Sequence, residues 1–118
     1  MSLLRILLVD DHILVRGGTR LLLENISGIT VVAEASDGHE ALHLIAELSP
    51  EIVITDIAMP GMNGLELTTK IKQAFPDIKV LILSMYDNEE YVAGALQAGV
   101  SGYLVKDSAI AELSVALE

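Results

Sequence analysis

The sequence predicts an α/β fold: a doubly wound, open sheet of five parallel strands in (βα)5 alternation, with helices on both faces. Three observations carry that expectation. Five short runs of Val, Ile and Leu show little polar alternation, as strands covered on both faces do. The stretches between them repeat apolar residues at the helical period. The connections are short, with no linker, internal repeat or low-complexity segment. With 118 residues the chain is one domain's worth, long enough to bury roughly two-thirds of the surface its unfolded form exposes.

The first strand is expected over Leu3 to Val9. A helix from about His12 to Glu24 follows, with its apolar stripe through Leu14, Gly18, Leu21 and Leu22. The Gly17-Gly18 pair weakens that helix by about 1 kcal/mol per glycine relative to Ala. The second strand spans Ile29 to Ala35, and the next helix places Ala41, Leu44, Ile45 and Leu48 on one face. Glu51 to Thr55 form the third strand, followed by a helix striped with Leu67, Ile71 and Phe75. The fourth strand runs from Lys79 to Leu83; a short helix with Val92, Ala95 and Leu96 is closed by Gly99 as a C′ glycine. Gly102 to Val105 make the fifth strand, and Ile110, Leu113 and Leu117 the stripe of a last helix. The expected strand order is 2-1-3-4-5, so the carboxyl ends of strands 1 and 3 flank the point where such sheets bind ligands.

Composition excludes several classes of function. Hydrophobic residues make up 52% of the chain, yet no apolar run reaches the ~20 residues of a membrane span. No basic segment leads into an apolar signal core. Without cysteine there is neither a disulfide framework nor a thiolate zinc site, which fits a soluble cytoplasmic protein. A formal charge of -10, with seven Lys and Arg scattered along the chain, argues against this segment gripping a phosphate backbone. A role on DNA requires another domain.

The polar residues at the strand ends are more informative. Strand 1 runs into Asp10-Asp11, strand 3 ends at Asp56, strand 4 at Ser84, and strand 5 just before Lys106. Singly, each has a plain structural explanation. Asp11 suits the N-cap of a helix beginning at His12, Asp10 a turn, and Asp56 a cap of the loop into Met59-Pro60-Gly61. Ser84 suits a cap for a helix starting at Asp87-Asn88, and Lys106 a surface lysine with a buried stem. On one sheet edge they read differently, because three converging carboxylates repel one another unless a cation sits among them.

All the donors are hard oxygens, with no convincing imidazole pair, so Mg2+ or Mn2+ is favoured over zinc. Asp11 and Asp56 are the preferred direct ligands, Asp10 binds directly or through water, and a backbone carbonyl in the loop after Asp56 completes the shell. A metal beside a carboxylate also suits phosphoryl transfer, in which positioning and charge neutralisation do most of the work. Asp56 is then the candidate nucleophile. Lys106 offers a point charge and Ser84 a hydroxyl donor to the phosphoryl oxygens.

The acidic pair in LVDDH, the Asp in ITDIAMPGMNG, the Ser in LILSMYD and the Lys in GYLVKD resemble, in order and spacing, the receiver domain of two-component response regulators. The resemblance covers essentially the whole chain and rests on four separated motifs. It implies a flavodoxin-like, CheY-like fold, with Asp56 as the phospho-acceptor that takes a phosphoryl group from a histidine of a sensor kinase. Asp10 and Asp11 match the Mg2+-binding acids, and the Ala58 carbonyl the backbone ligand. Ser84 and Lys106 match the switch hydroxyl and the phosphate-binding lysine, and Tyr103 the aromatic switch position. Ala58 and Tyr86, each two positions past Asp56 or Ser84, match residues that tune the lifetime of the phosphoryl bond.

VDDH, MPGMNGLE and SGYLVKD are similar to the NarL/FixJ subgroup, whose members usually continue into a LuxR-type helix-turn-helix. Residues 1–118 are thus expected to be the receiver portion of a longer transcription regulator. The implied mechanism is a switch. Phosphorylation draws Ser84 inward, Tyr103 turns into the vacated space, and the altered face promotes homodimerisation or releases a DNA-binding domain. Such a domain promotes its own phosphorylation and dephosphorylation and is no turnover enzyme on an external substrate.

Two features depart from the family pattern. Asp107 stands where many receivers have Pro after the lysine, and a retained cis bond there costs roughly 3 kcal/mol. The Gly17-Gly18 pair is unusual in the first helix. His12 is expected to point outward from the first helical turn, and His39 and His43, four apart on a helix, to be solvated surface. Three rival functions share parts of this pattern. An Asp-nucleophile phosphatase of the haloacid dehalogenase kind needs a second acid where Ala58 stands. A flavin or nucleotide carrier needs a phosphate cradle where Asp10-Asp11 stand. A phosphorylation-independent receiver-like interaction module is the retained alternative.

Overall fold

Alternation along each strand divides the core into two layers. In the computed structural model, residues 3–57, 59–84, 94 and 97–105 are described, apart from the side chains of residues 84 and 103–105. Strand β1 (Leu4–Val9) sends Leu7 and Val9 to one face of the sheet and Ile6 and Leu8 to the other. β3 (Ile52–Thr55) divides likewise, with Val53 on the first face and Ile52 and Ile54 on the second. Every residue of β3 is buried, as expected of a central parallel strand.

Five parallel strands form one sheet in the order β2-β1-β3-β4-β5, with β2 at Ile29–Ala35, β4 at Lys79–Ser84 and β5 at Gly102–Val105. This is the order expected from the sequence. The β1–β3 ladder is regular from Ile6↔Ile52 to Val9↔Thr55. The β1–β2 ladder is irregular: Ile6 pairs with Val31 but Leu7 with Ala33, so Val32 is skipped.

Helices α2 (Gly38–Leu48) and α3 (Gly64–Ala74) cover the face that carries Leu7, Val9 and Val53, burying Ala41, Ile45, Leu67 and Ile71 there. Each begins with a satisfied cap. Asp37 accepts from the Glu40 amide at 2.8 Å, and Asn63 with Glu66 forms a capping box. α3 ends at Ala74 and Phe75 is its C-cap, because the residue before Pro76 is pushed out of the α region.

Helix α1 (Ile13–Glu24) lies on the other face and corrects the sequence reading twice. Its N-cap is His12, without a side-chain cap hydrogen bond, so Asp11 does not cap it. The stripe expected to face the core is largely exposed, Leu14 at 91% and Leu21 at 67%. The side turned to the sheet is instead Arg16, Arg20 and Leu23, spaced i, i+4 and i+7; Leu23 is fully buried, and both arginines reach Glu34 of β2. The helix passes through Gly17-Gly18 without interruption. Gly94, Gln97 and Ala98 are helical and Gly99 has φ 95°, consistent with the expected C′ glycine. The last helix and the Lys106–Asp107 peptide lie outside the described residues.

Candidate functional site

The backbone ladder that closes the sheet also assembles the acidic site. The Asp56 amide donates to the Val9 carbonyl at 3.0 Å, and the Asp10 amide to the Ala35 carbonyl at 3.1 Å. Pairing therefore continues one residue past β1 and β3, bringing the two acids side by side at the carboxyl edge. Both are nearly enclosed, with Asp10 3% and Asp56 7% exposed.

Each carboxylate is oriented by a backbone donor. Asp56 Oδ1 accepts from the Ile57 amide at 2.7 Å, and Asp10 Oδ1 from the His12 amide at 3.0 Å. Behind Asp56, α3 begins with a close backbone approach. A Cβ on Gly64 would fall onto the Asp56 carbonyl oxygen and within 2.8 Å of Ile57 Cα. Only glycine admits that approach, and the Gly64 amide uses it to donate to the Ile57 carbonyl at 2.9 Å.

Asp10, Asp11, His12 and Asp56 each offer a ligand atom, and these atoms all lie within 4.8 Å of one another. Asp11 Oδ1 is buried and has no hydrogen-bond partner. A buried carboxylate oxygen that accepts no hydrogen bond, grouped with two further acids, is the donor set of a hard divalent cation, so the residues fit Mg2+ or Mn2+. His12 differs from expectation: its side chain is 64% exposed, yet Nδ1 turns inward to 3.1 Å from Asp11 Oδ1 and 3.4 Å from Asp10 Oδ1.

A guanidinium braces the site from α1. Arg16 Nη1 donates to the Asp10 carbonyl at 2.8 Å and to Ser36 Oγ at 3.1 Å, while Nε donates to Glu34 Oε1 at 2.9 Å. Arg20 Nη1 takes the other Glu34 oxygen at 2.6 Å. That hydrogen bond, against the opposing effect of burial, holds the Glu34 carboxyl below its ordinary value, and Glu34 raises the Arg20 guanidinium in return. The reading from sequence missed this brace. The available signal was the four-residue spacing of Arg16 and Arg20, but nothing local points the pair at Glu34.

Ala58, Tyr86 and Lys106, and the side chains of Ser84 and Tyr103, lie outside the described residues. The backbone places Ser84 at the end of β4, in register with Val105 of β5. A cleft of about 630 Å³ opens at the opposite, amino-terminal edge of the sheet, lined by residues including Leu4, Pro50, Ile52, Phe75 and Lys79. It is remote from the acids.

The family model of the response regulator receiver domain matches residues 6–118. Response regulator GacA of Pseudomonas viridiflava is 41% identical over 115 residues, covering 98% of this chain and 54% of its own length. The chain thus spans about half the length of the curated relatives it matches. A solved two-component response regulator of the LuxR family from Aurantimonas sp. SI85-9A1 superposes with a TM-score of 0.93 at 44% identity, covering 98% of this chain and 83% of that one. The isolated REC domain of RcsB from Salmonella enterica serovar Typhimurium, solved in the presence of phosphomimetic BeF3-, gives a TM-score of 0.90 at 30% identity, over 98% of this chain and 86% of that one.

Proposed function

Because this chain belongs to the family of response regulator receiver domains, we propose that it accepts a phosphoryl group on Asp56 from the histidine of a sensor kinase. One observation carries the reading: Asp56, nearly enclosed, sits at the carboxyl edge of the central strand with the ligand atoms of Asp10 and Asp11 within 4.8 Å. The Asp56 carboxylate forms its bond to phosphorus as the P–N bond of the phosphohistidine breaks. The electron pair of that bond stays on the ring nitrogen, and an acyl phosphate remains on Asp56.

Asp10, Asp11 and the Asp56 carboxylate would hold Mg2+, with the Ala58 carbonyl as the matching backbone ligand. When bound, the ion neutralises charge on the phosphoryl oxygens. The Ile57 amide on Oδ1 fixes the Asp56 carboxylate plane, the Asp10 hydrogen bond to His12 N–H fixes the neighbouring acid, and Arg16 holds the Asp10 backbone. The family pattern gives Lys106 and Ser84 the phosphoryl oxygens, Tyr103 the switch, and Ala58 and Tyr86 the lifetime of the bond.

The phosphoryl group adds about -1.5 to -2 charge at this edge, and the change at Ser84 and Tyr103 passes to the output. LuxR-family relatives support an output through a DNA-binding domain beyond residue 118, controlling transcription, with homodimerisation as one route. Among the described residues no helix is long and apolar enough to cross a membrane, in keeping with a cytoplasmic site of action.

Incubation with Mg2+ and acetyl phosphate, followed by intact mass measurement, tests the assignment. The expected result is one phosphoryl adduct on the unmodified chain and none on Asp56→Ala. No adduct on the former, or an equal adduct on the latter, overturns it.

A further inference from the structure

Resting on the magnesium reading above, we propose that His12 is a fourth protein donor of the acidic site, giving it a mixed oxygen and nitrogen ligand set that selects borderline transition ions of the Co2+ and Ni2+ type. Three observations carry this. The ring does not serve as a helix cap, since His12 occupies the N-cap of α1 without a side-chain cap bond. It does not serve Asp11 by hydrogen bonding either, because Asp11 Oδ1 lacks any such partner although His12 Nδ1 stands 3.1 Å away.

The third observation is the spacing. Two donors on adjacent corners of an octahedral ion, each about 2.1 Å from it, are about 3.0 Å apart. His12 Nδ1 lies 3.1 Å from Asp11 Oδ1 and 3.4 Å from Asp10 Oδ1, close to two edges of such an octahedron. The backbone that carries the ring is held on both sides: the His12 amide is bound to Asp10 Oδ1 at 3.0 Å, and the Arg16 amide to the His12 carbonyl at 2.8 Å. An imidazole nitrogen is a weak partner for Mg2+ but a strong one for later first-row divalent ions. His12 therefore sets which metal is preferred, while the three carboxylates set that a metal binds at all.

Calorimetric titration with Co2+ and with Mg2+ at one fixed pH tests the proposal. The parent chain carries His39→Gln and His43→Gln, because the exposed α2 histidines, one of them 3.1 Å from Glu47 Oε1, offer a competing surface chelate. The ratio of Co2+ to Mg2+ affinity is expected to fall by roughly tenfold or more on adding His12→Gln; an unchanged ratio overturns the proposal. Because Mg2+ reports the integrity of the carboxylates in the same protein, a merely structural effect of the substitution leaves the ratio constant.

The visible spectrum of Co2+ on the parent chain provides a reading without altering His12. Bands displaced from those of an oxygen-only shell support the nitrogen donor, and bands matching such a shell overturn it. Absence of saturable Mg2+ binding to the parent instead removes the magnesium reading, and the proposal with it.

Discussion

Arg16 Nη1 donates to the Asp10 carbonyl at 2.8 Å, joining the first helix to the backbone of the acidic pair. The same guanidinium binds Glu34, and its side chain is only 14% exposed. Arg16→Met leaves the Asp10 carbonyl without this donor and Glu34 with one arginine fewer. Bonds to charged groups are worth roughly 1.5–3 kcal/mol, so urea unfolding should show a loss in that range. A double-mutant cycle with Glu34→Gln should reveal coupling between the two positions.

Glu34 predicts the sign of an acid-limb effect. Its folded value lies below the ordinary 4.5, so its contribution is present above 4.5 and is lost as pH falls through the lowered folded value. Raised Arg20 acts in the opposite sense: its contribution is complete below the ordinary guanidinium value and is lost only as pH rises through the raised folded value. Of this pair, only the glutamate titrates between neutral pH and the acid limb. The urea midpoint of the unmodified chain should fall more steeply over that range than that of Glu34→Gln.

The diglycine in α1 should be improvable. Apart from the flanking residues and the helix's own backbone, no heavy atom of the described residues lies within 4 Å of where a Cβ would stand on Gly17 or Gly18. Ala at either position should stabilise by about 0.5–1 kcal/mol through helix propensity alone, read as a higher melting temperature. A loss would mean that the bare backbone serves a contact beyond the described residues.

Gly64 should behave in the opposite way. Its substitution by Ala drives a methyl group into the Asp56 carbonyl and Ile57 Cα. Overpacking of this kind costs about 1–3 kcal/mol. Because the displaced atoms are the backbone of Asp56, phosphorylation by acetyl phosphate should slow as well, in contrast to the Gly17 and Gly18 variants.

Much of this was legible in the sequence because parallel strands covered on both faces leave an unambiguous trace. The runs ending at Val9 and Thr55 have no alternative to burial, and once they pair, Asp10 and Asp56 must follow at the same edge. Helix α1 was misread because aliphatic residues were assumed to seek the sheet. Arg16 and Arg20 hold that side instead, laying their stems against it while their heads reach Glu34. The inward turn of His12 was equally out of reach. The His12 backbone is placed by an amide bonded to Asp10 and a turn fixed by strand pairing to Ala35, neither of which any local pattern encodes.

The skipped residue in β2 has a reach beyond its own ladder. Val31 lies on the α1 face and Ala33 on the α2–α3 face, so Val32 changes the parity of everything after it. That phase change turns Glu34 toward Arg16 and Arg20. Were Val32 instead paired with Leu7, Glu34 would fall opposite Val9 and its carboxylate would swing among Ala41 and Ile45, stranding both arginines. The acidic site would lose its brace although none of its own residues had changed: its geometry depends on one extra peptide unit in a neighbouring strand.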